Sequence, residues 1–202
     1  MDCYTPLESV IDHCLNTGIN CLAISDHNTI AGALKLQEIA PFRVIIAEEI
    51  LTQFGELMGL FLTEEVPKGL SPEETIARIR KQGGLVGIPH PFGRWLLQNS
   101  NKLLSGETLS QVDIIEVFNS RTPFFSSSNK ARSLALEYGK VASAGSDAHT
   151  LGEIGRAYVE MPEFGGPDDF LSCLSQGKIF GRRSSPLVHL ASTWAKMRKG
   201  FC

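Results

Sequence analysis

One order of segments recurs along the chain: apolar residues at helical spacing, then a glycine, then a short apolar run. The apolar run at residues 21–24 follows such a helical segment ending at Gly18, and the run at 85–88 follows one ending at Gly83 and Gly84. Glycine is common at helix ends because it adopts a left-handed backbone without steric cost. Short runs of Ile, Val, Leu and Ala between helices predict buried strands. The recurring order therefore predicts an α/β fold.

Two of the predicted helices carry the same start signal. Thr5 and Ser71 each precede a proline and stand three positions before a glutamate. This spacing is that of a capping box with proline at the first helical position. Two further helices are predicted over residues 131–138 and 167–176 by their apolar spacing and by the glycine that follows each.

Further strand candidates complete the alternation. They lie at residues 43–47, 57–62, 113–118, 141–144 and 157–161. Alternating strands and helices favour a mainly parallel sheet, and this many units in one domain favour closure into a barrel or a barrel-like shape. An open doubly wound sheet is the alternative.

Size and composition are those of one globular domain over residues 1–202. The contents of 43% hydrophobic and 20% charged residues differ from those of a disordered chain, and no apolar run reaches the length of a membrane span. The formal net charge of -3 argues against stable binding of duplex nucleic acid. Five cysteines without a CxxC pair and an N-terminus without an export signal predict reduced thiols and a cytoplasmic location.

Polar side chains follow five of the apolar runs, at the point where each predicted strand ends. In βα folds the loops after the carboxyl ends of the strands converge, and chemistry collects there. The segments concerned are Ser25-Asp26-His27, Glu48-Glu49, Pro89-His90-Pro91, Asn119 and Ser146-Asp147-Ala148-His149. Three of the five histidines of the chain are therefore expected at one edge of the sheet, together with several carboxylates.

This mixture of side chains predicts a metal centre. Imidazole nitrogens with carboxylate oxygens suit zinc, manganese or iron, whereas an all-oxygen set suits magnesium or calcium. Asp147 and His149 are the strongest local pair, because residues two apart in an extended segment project to the same side. Structural interpretations also exist: His27 as a hydrogen-bonded loop residue and His90 as part of a turn held by two prolines. The joint placement favours a centre with several metals.

Several other histidine and aromatic residues are interpreted as structural. His13 lies on the first predicted helix, and His189 stands beside apolar residues near the C-terminus. Trp95, Trp194, Phe124 and Phe125 are interpreted as packing residues of the core or of loops, with stacking against a substrate as the alternative.

Four of the polar segments resemble, in order and spacing, motifs of the PHP (polymerase and histidinol phosphatase) family of metal-dependent phosphoesterases. The family motifs are an HxH, a TDH-like turn, a GxE-like glutamate, a PHP-like histidine and an SDxH. The last four resemble Ser25-Asp26-His27, Ala47-Glu48-Glu49, Pro89-His90-Pro91 and Ser146-Asp147-Ala148-His149. Residues 115–121 resemble the family segment between the last two motifs, so the resemblance spans nearly the whole chain.

The resemblance implies a distorted (β/α)7 TIM-like barrel with two or three divalent metals (Mn, Zn or Fe). The implied metal ligands are His27, Glu49, His90, Asp147 and His149, with Asp2 as a further candidate. The expected catalytic residues are Asp26 and Arg121. The expected substrate-binding residues are Arg94, Arg121 and Asn119, since a guanidinium fork suits phosphate. For Arg94, a role as a surface cation is the alternative.

One motif of the family has no counterpart in this sequence. Family members open with a strand that ends in DLHxHT, whereas this sequence begins where that strand would already have finished. We expect either a misplaced start or boundary, or a natural truncation. In both cases the first strand and two histidine ligands would be missing, and a strand edge would be exposed.

The expected function is hydrolysis of a phosphomonoester or a short oligonucleotide phosphate by metal-activated water. The expected partner is a small phosphorylated substrate, nucleotide-like in character. One alternative is a truncated, non-catalytic module with a structural or partner-binding role. Another is amide or ring hydrolysis on a related metal-barrel scaffold, which uses the same activated water and which the fold alone does not exclude.

Overall fold

The computed structural model describes residues 5–93 and 100–184. Its helices are α1 (Leu7–Thr17), α2 (Ala31–Ile39), α3 (Pro72–Lys81), α4 (Ser100–Leu103), α5 (Gly106–Gln111), α6 (Phe125–Glu137) and α7 (Pro167–Ser175). Its strands are β1 (Cys21–His27), β2 (Arg43–Thr52), β3 (Gly55–Leu60), β4 (Leu85–Ile88), β5 (Ile114–Asn119), β6 (Val141–Gly145), β7 (Ala157–Glu160) and β8 (Lys178–Gly181). Asp2 and Arg94, which have predicted roles, and His189, Trp95 and Trp194 lie outside the described residues.

Strands β1 to β6 form one sheet in the order of the sequence. The pairs β1–β2, β4–β5 and β5–β6 are parallel, whereas β3 is antiparallel to both of its neighbours. The sheet curls into part of a barrel. The predicted α/β fold is confirmed, and the count of seven βα units stays a prediction.

The antiparallel β3 differs from the parallel arrangement that the alternating pattern predicts. Only Gln53 and Phe54 separate β2 from β3, and a parallel connection needs a dozen or more residues. The chain turns back at once, with Thr52 Oγ1 donating to the Gly55 carbonyl at 2.6 Å. Because of this hairpin, the beginning of β3 lies beside the end of β2. Residues there reach the same sheet edge as the ends of β1 and β2.

Strands β7 and β8 form a separate antiparallel ribbon. The ribbon is joined to the end of β6, where Ser146 Oγ accepts the Ala157 N–H at 3.0 Å. After β8 the chain runs past the end of β5, because Ser120 Oγ donates to the Arg182 carbonyl at 2.7 Å and the Ser184 N–H donates to the Ser120 carbonyl at 2.7 Å. The segment between Arg182 and Ser184 is therefore held beside the carboxyl end of β5.

Helix ends and buried apolar side chains hold the strands in place. Helix α3 begins with the predicted capping box, since Ser71 and Glu74 exchange hydrogen bonds of 3.2 Å. Helix α1 begins at Leu7 with Pro6 as its N-cap, one residue later than predicted. Ile88 and Ile115 are each 0% exposed, and burial of such a side chain stabilises the fold by about 1.5–3 kcal/mol. The strand ends that carry the polar segments are thus rigidly supported.

Among the described residues, Cys14, Cys21 and Cys173 are free thiols. Burial raises the pKa of Cys14 and of Cys21, so these thiols stay protonated more readily than exposed ones. Over residues 5–93 and 100–184, no helix has both the length and the apolar character needed to cross a bilayer.

Candidate metal centre

His27, Glu49 and His90 meet at the carboxyl ends of three strands. Parallel pairing of β1 with β2 places His27 directly opposite Glu49, and β4 ends two residues before His90. His90 Nε2 lies 2.8 Å from Glu49 Oε1. His27 Nδ1 lies 3.9 Å from Glu49 Oε2. The sheet therefore brings together three residues that the sequence analysis names as candidate ligands.

Glu56 joins this group from β3, although the sequence analysis does not name it. Glu56 Oε1 lies 3.5 Å from His27 Nδ1, and one ligand atom from each of His27, Glu49 and Glu56 falls within 4.8 Å of the others. The β2–β3 hairpin pairs Leu51 with Glu56 and so delivers its side chain to this edge. The strand predicted over residues 57–62 begins one residue after Glu56. The sequence signal for Glu56 is its position directly before an apolar run.

Asp26 and Glu48 lie on the other face of the sheet, because successive side chains along a strand alternate and the two residues pair in register. The Asp26 carboxylate lies against the first turn of α2, where a Cβ on Gly32 would come within 2.5 Å of Asp26 Oδ2. Glu48 is fully buried and accepts the Val66 N–H at 2.9 Å. The structure thus separates Asp26 from the face that carries Glu49.

Asp147 is linked to His90 through two buried residues at the end of β5. Glu116 Oε2 accepts the backbone N–H of His90 at 2.7 Å and the side-chain amide of Asn119 at 3.1 Å. The same Asn119 amide nitrogen lies 3.4 Å from Asp147 Oδ2. Glu116 and Asn119 are 8% and 4% exposed, so this bridge is held firmly. Asp147 therefore stands next to the first group of candidate ligands.

Glu153 connects His149 with Arg121. The backbone N–H of His149 donates to Glu153 Oε2 at 3.1 Å, and Arg121 Nε lies 3.4 Å from Glu153 Oε1. His149 Nδ1 lies 3.0 Å from the Asp147 carbonyl oxygen and 3.5 Å from Asp147 Oδ1. Arg121 and Glu153 are both buried. The arginine expected to bind phosphate is thus placed beside the Asp147–His149 pair. No role is predicted for Glu153 from the sequence.

The backbone is in the left-handed region at two of the candidate ligands. The φ angle is 25° at His90 and 49° at Asp147. Such angles are uncommon outside glycine and cost about 1–3 kcal/mol, so they persist only where the surroundings enforce them. At His90 the enforcing contacts are its N–H bond to Glu116 and the donation of the Gly93 N–H to its carbonyl at 2.7 Å. Strain of this kind clusters at functional sites.

Comparisons with known proteins identify one family model and two relatives. Residues 126–179 match a family model described as PHP-associated. The chain is 40% identical over 162 residues to the uncharacterized protein MJ0417 of Methanocaldococcus jannaschii. This alignment covers 75% of this chain and 65% of that protein. It is 45% identical over 105 residues to MJ1587 of the same organism, which covers 50% of this chain and 59% of that protein. The chain thus spans less than two thirds of either relative.

Solved structures share the fold. One is a two-domain protein from Bacteroides vulgatus, described as containing a predicted PHP-like metal-dependent phosphoesterase. It aligns with a TM-score of 0.68 and 16% sequence identity, and the alignment covers 90% of this chain and 61% of that chain. The resemblance to the PHP family is confirmed. PsfC from Pseudomonas syringae aligns with a TM-score of 0.67 at 16% identity over 94% and 88% of the two chains. An amidohydrolase from Chromobacterium violaceum aligns with a TM-score of 0.57 at 16% identity over 71% and 82%.

Charges around the group formed by His27, Glu49, Glu56 and His90 favour a bound cation. Burial alone lowers the pKa of His90, but the hydrogen bond and charge of Glu49 and the other nearby carboxylates raise it to about 10. Burial alone raises the pKa of Glu49, whereas the hydrogen bond and charge of His90 bring it below its usual value. Burial and the charge of Glu49 raise the pKa of Glu56 to about 7. The carboxylates thus create a field strong enough to hold a proton on an imidazole, and a divalent cation satisfies the same field.

Glu116 is a buried carboxyl group directly beneath this PHP-like centre. Burial raises its pKa to about 7, although the charge and backbone N–H of His90 and the amide of Asn119 act to lower it. A Cβ on Gly145 would overlap Glu116 Oε1, so only glycine at that position leaves room for the carboxyl group. The sequence analysis included Glu116 in the family-like segment without a role. The sequence signal for Glu116 is a single acidic residue inside an apolar strand, because a buried carboxyl group needs hydrogen-bond or charge partners.

In metal-free protein, Glu116→Gln is expected to raise the free energy of unfolding at about pH 8, by up to about 3 kcal/mol, and to change it little at about pH 4. The folded pKa of about 7 exceeds the ordinary glutamate value of about 4.3. Folded protein therefore binds more protons between these values, and the wild type loses stability as the pH rises through that window. Glutamine keeps an acceptor oxygen without the charge. Urea unfolding in chelator at both pH values measures the difference, and a gap independent of pH contradicts the assignment.

Proposed function

We propose that this protein is a metal-dependent phosphoesterase that hydrolyses a phosphomonoester or a short oligonucleotide phosphate with metal-activated water. The observation that carries the proposal is the meeting of His27, Glu49 and Glu56 within 4.8 Å of one another, with His90 2.8 Å from Glu49. The PHP-like fold supports hydrolysis by activated water but does not by itself specify the bond that is broken. The position of Arg121 beside the ligands favours a phosphate ester.

The side chains fit two or three divalent cations such as manganese, zinc or iron. Imidazole nitrogens mixed with carboxylate oxygens suit these metals. His27, Glu49 and Glu56 would hold one cation, with His90 beside Glu49 as a further ligand, and Asp147 with His149 would hold another. When bound, the metals would lower the pKa of a coordinated water so that hydroxide is available near neutral pH. Glu56 is an addition to the ligands that the sequence predicts.

Arg121 is proposed to hold the substrate phosphate. Its planar guanidinium can donate to two phosphate oxygens at once. Glu153 orients the side chain at 3.4 Å. Asn119 Oδ1 accepts the backbone N–H groups of Arg121 at 2.9 Å and of Thr122 at 3.2 Å. Asn119 is therefore proposed to position the arginine loop, and its amide joins that loop to Asp147.

The catalytic role of Asp26 stays a prediction. Its carboxylate lies against α2, on the face of the sheet opposite to His27. We assign proton transfer to carboxylates on the sheet face that carries His27 and Glu49, because a proton-transfer group must lie within hydrogen-bond reach of the reacting atoms. The ligand role of Asp2 and the substrate role of Arg94 stay predictions.

The proposed substrate is a small phosphorylated molecule, nucleotide-like in character. A small opening between the loop after β4 and the start of α6 is lined by residues that include His90, Glu116, Ser127 and Ser128. The related amidohydrolase from Chromobacterium violaceum has bound sulfate, an anion with the shape of phosphate.

Protein purified without chelator is expected to contain about two or more divalent metals per chain. Reconstitution with manganese, zinc or iron is expected to give release of phosphate or nucleotide from nucleoside monophosphates, bisphosphates or short RNA. Elemental analysis and product assays measure both quantities. Chelation should abolish turnover and metal addition should restore it. Folded protein without metal and without turnover in all three reconstitutions would overturn the proposal.

Amide hydrolysis is a second candidate function, favoured by the fold shared with the Chromobacterium violaceum amidohydrolase. It predicts the same metal content but turnover of amides and none of phosphate esters. The non-catalytic alternative predicts neither metal nor turnover. Measuring the metal content and the turnover of both phosphate esters and amides on one preparation therefore distinguishes the three candidate functions.

A further inference from the structure

Residues 181–184, the crossing segment, pass over the carboxyl end of β5 and contact the loop that carries Arg121. Ser120 Oγ donates to the Arg182 carbonyl at 2.7 Å, and the Ser120 carbonyl accepts the Ser184 N–H at 2.7 Å. Ser120 is 0% exposed, and hydrogen bonds shielded from water are stronger than exposed ones. The crossing segment therefore fixes the backbone immediately before Arg121.

Arg183 fixes the backbone immediately after Arg121. Its guanidinium donates to the Thr122 carbonyl and, at 3.0 Å, to Ser128 Oγ in the first turn of α6. The planar guanidinium presents its donors in a rigid fork, so two acceptors held by different segments are bonded in one fixed geometry. A single side chain thus joins the loop of Arg121 to α6.

Two aromatic rings and a glycine hold Arg183 in place. Its guanidinium carbon lies 4.5 Å from the centre of the Phe125 ring and 5.4 Å from that of the Phe118 ring, both within the range of cation–π contacts. A Cβ on Gly181 would overlap the Phe118 ring, so the backbone of the crossing segment packs directly on this ring. The position of Arg183 is therefore set by β5 and α6 together.

The crossing segment also reaches the ion-pair partner of Arg121. The Arg182 N–H donates to the Arg156 carbonyl at 2.7 Å, and the Arg156 N–H donates to the Glu153 carbonyl at 3.1 Å. Glu153 Oε1 lies 3.4 Å from Arg121 Nε, and both residues are buried. The crossing segment is thus bonded to the two segments that carry this ion pair.

We propose that Arg183 is a positioning residue that holds the Arg121 guanidinium in place for a phosphate group. This inference rests on the proposed function, which gives Arg121 the role of holding the substrate phosphate. Nη1 and Nη2 of Arg183 both donate to protein oxygens, and its Nε is buried, so Arg183 acts through the loop and not by contact with the substrate. A side chain held in its binding orientation loses less conformational freedom when the phosphate binds.

A double-mutant cycle of Arg183→Ala and Arg121→Ala tests whether the first residue acts through the second. Inorganic phosphate is titrated by calorimetry into protein purified without chelator. We expect Arg183→Ala to weaken phosphate binding by about 10-fold when Arg121 is present and by less than about twofold in the Arg121→Ala background. Equal losses in both backgrounds would show that Arg183 does not act through Arg121 and would overturn the proposal.

Arg182→Ala is the matched control, because it removes one positive charge from the same crossing segment. The residue is exposed, and its bonds to Ser120 and Arg156 use backbone atoms, so we expect wild-type phosphate affinity. A loss equal to that of Arg183→Ala would mean a general effect of charge and would contradict the positioning role.

Arg183→Lys keeps the charge without the planar fork and is expected to give a smaller loss of phosphate affinity in the same direction. Urea unfolding of every variant checks that each one is folded. If Arg183→Ala does not fold, Arg183→Lys takes its place in the double-mutant cycle, and equal losses in both backgrounds again overturn the proposal.

Kinetics on a phosphate ester separate this inference from the proposed function. We expect Arg183→Ala to raise KM by about 10-fold with kcat within about twofold of the wild type, because the phosphate is held in both the ground state and the transition state. Hydrolysis with an unchanged KM would overturn the positioning role and leave the phosphoesterase proposal in place. No hydrolysis of any phosphate ester, with phosphate affinity that depends on Arg183 through Arg121, would overturn the proposed function and support the positioning role.

Discussion

Glu49→Gln is expected to remove metal binding and to lower kcat/KM by at least about 100-fold. Replacing a residue that only hydrogen-bonds to a metal ligand already lowers metal affinity or activity by about 10–100-fold. Glu49 is itself a candidate ligand, and its carboxylate lies 2.8 Å from His90 Nε2 and 3.9 Å from His27 Nδ1. The amide loses the negative charge and one acceptor oxygen. Elemental analysis of the purified variant and kinetics on a phosphate ester measure the two effects.

Glu48→Gln is the matched control for this experiment. Glu48 is adjacent in sequence and fully buried, but it lies on the opposite face, where its Oε2 accepts the Val66 N–H at 2.9 Å. Glutamine retains an acceptor oxygen for that bond, so we expect wild-type metal content and activity. Similar losses in both variants would mean that burial of the pair, and not ligation by Glu49, is responsible.

Gly145→Ala is expected to lower the free energy of unfolding by about 1–3 kcal/mol and kcat/KM by about 100-fold. The added Cβ would overlap Glu116 Oε1, and Glu116 cannot move without releasing the His90 N–H and the Asn119 amide. A displacement of about 1 Å at a catalytic centre has an effect of that size on rate. Chemical denaturation and kinetics on the same preparation separate the loss of stability from the loss of activity.

Gly152→Ala controls for the general effect of adding a methyl group to a glycine near the site. No atom lies within 4 Å of the position that its Cβ would take, and the residue belongs to the short turn Leu151–Glu153 after His149. Stability and activity should both stay at the wild-type level. A fully stable and active Gly145→Ala variant would show that Glu116 does not occupy the position beneath His90.

The strand ends that carry chemistry could be predicted because the signals for them are local. The runs that became β1, β4 and β6 are bounded by glycines and helical spacing, and the polar residues follow within a few positions. His27, His90 and Asp147 were therefore named from the sequence, and the structure places them near one another through Glu49 and Asn119. Their function as ligands stays a prediction that the variants above test.

Glu56 and Glu116 were not assigned roles because their importance depends on contacts between distant segments. Glu56 reaches His27 only through the β2–β3 hairpin, whose two-residue turn was hidden inside a pattern interpreted as alternating strands and helices. Glu116 acquires its role from Gly145, which leaves the space it fills, and from the His90 backbone. Neither contact has a signature in the residues adjacent to the glutamate.

The sequence by itself determined the α/β fold and the edge of the sheet where histidines and carboxylates collect, since helix ends, strand composition and strand-end polarity are properties of neighbouring residues. Only the tertiary structure decided that Glu56 joins His27 and Glu49 at that edge and that the Asp26 carboxylate lies against α2. The reason is physical: a side chain's face depends on strand register and pairing, and these are set by packing between segments far apart in the chain.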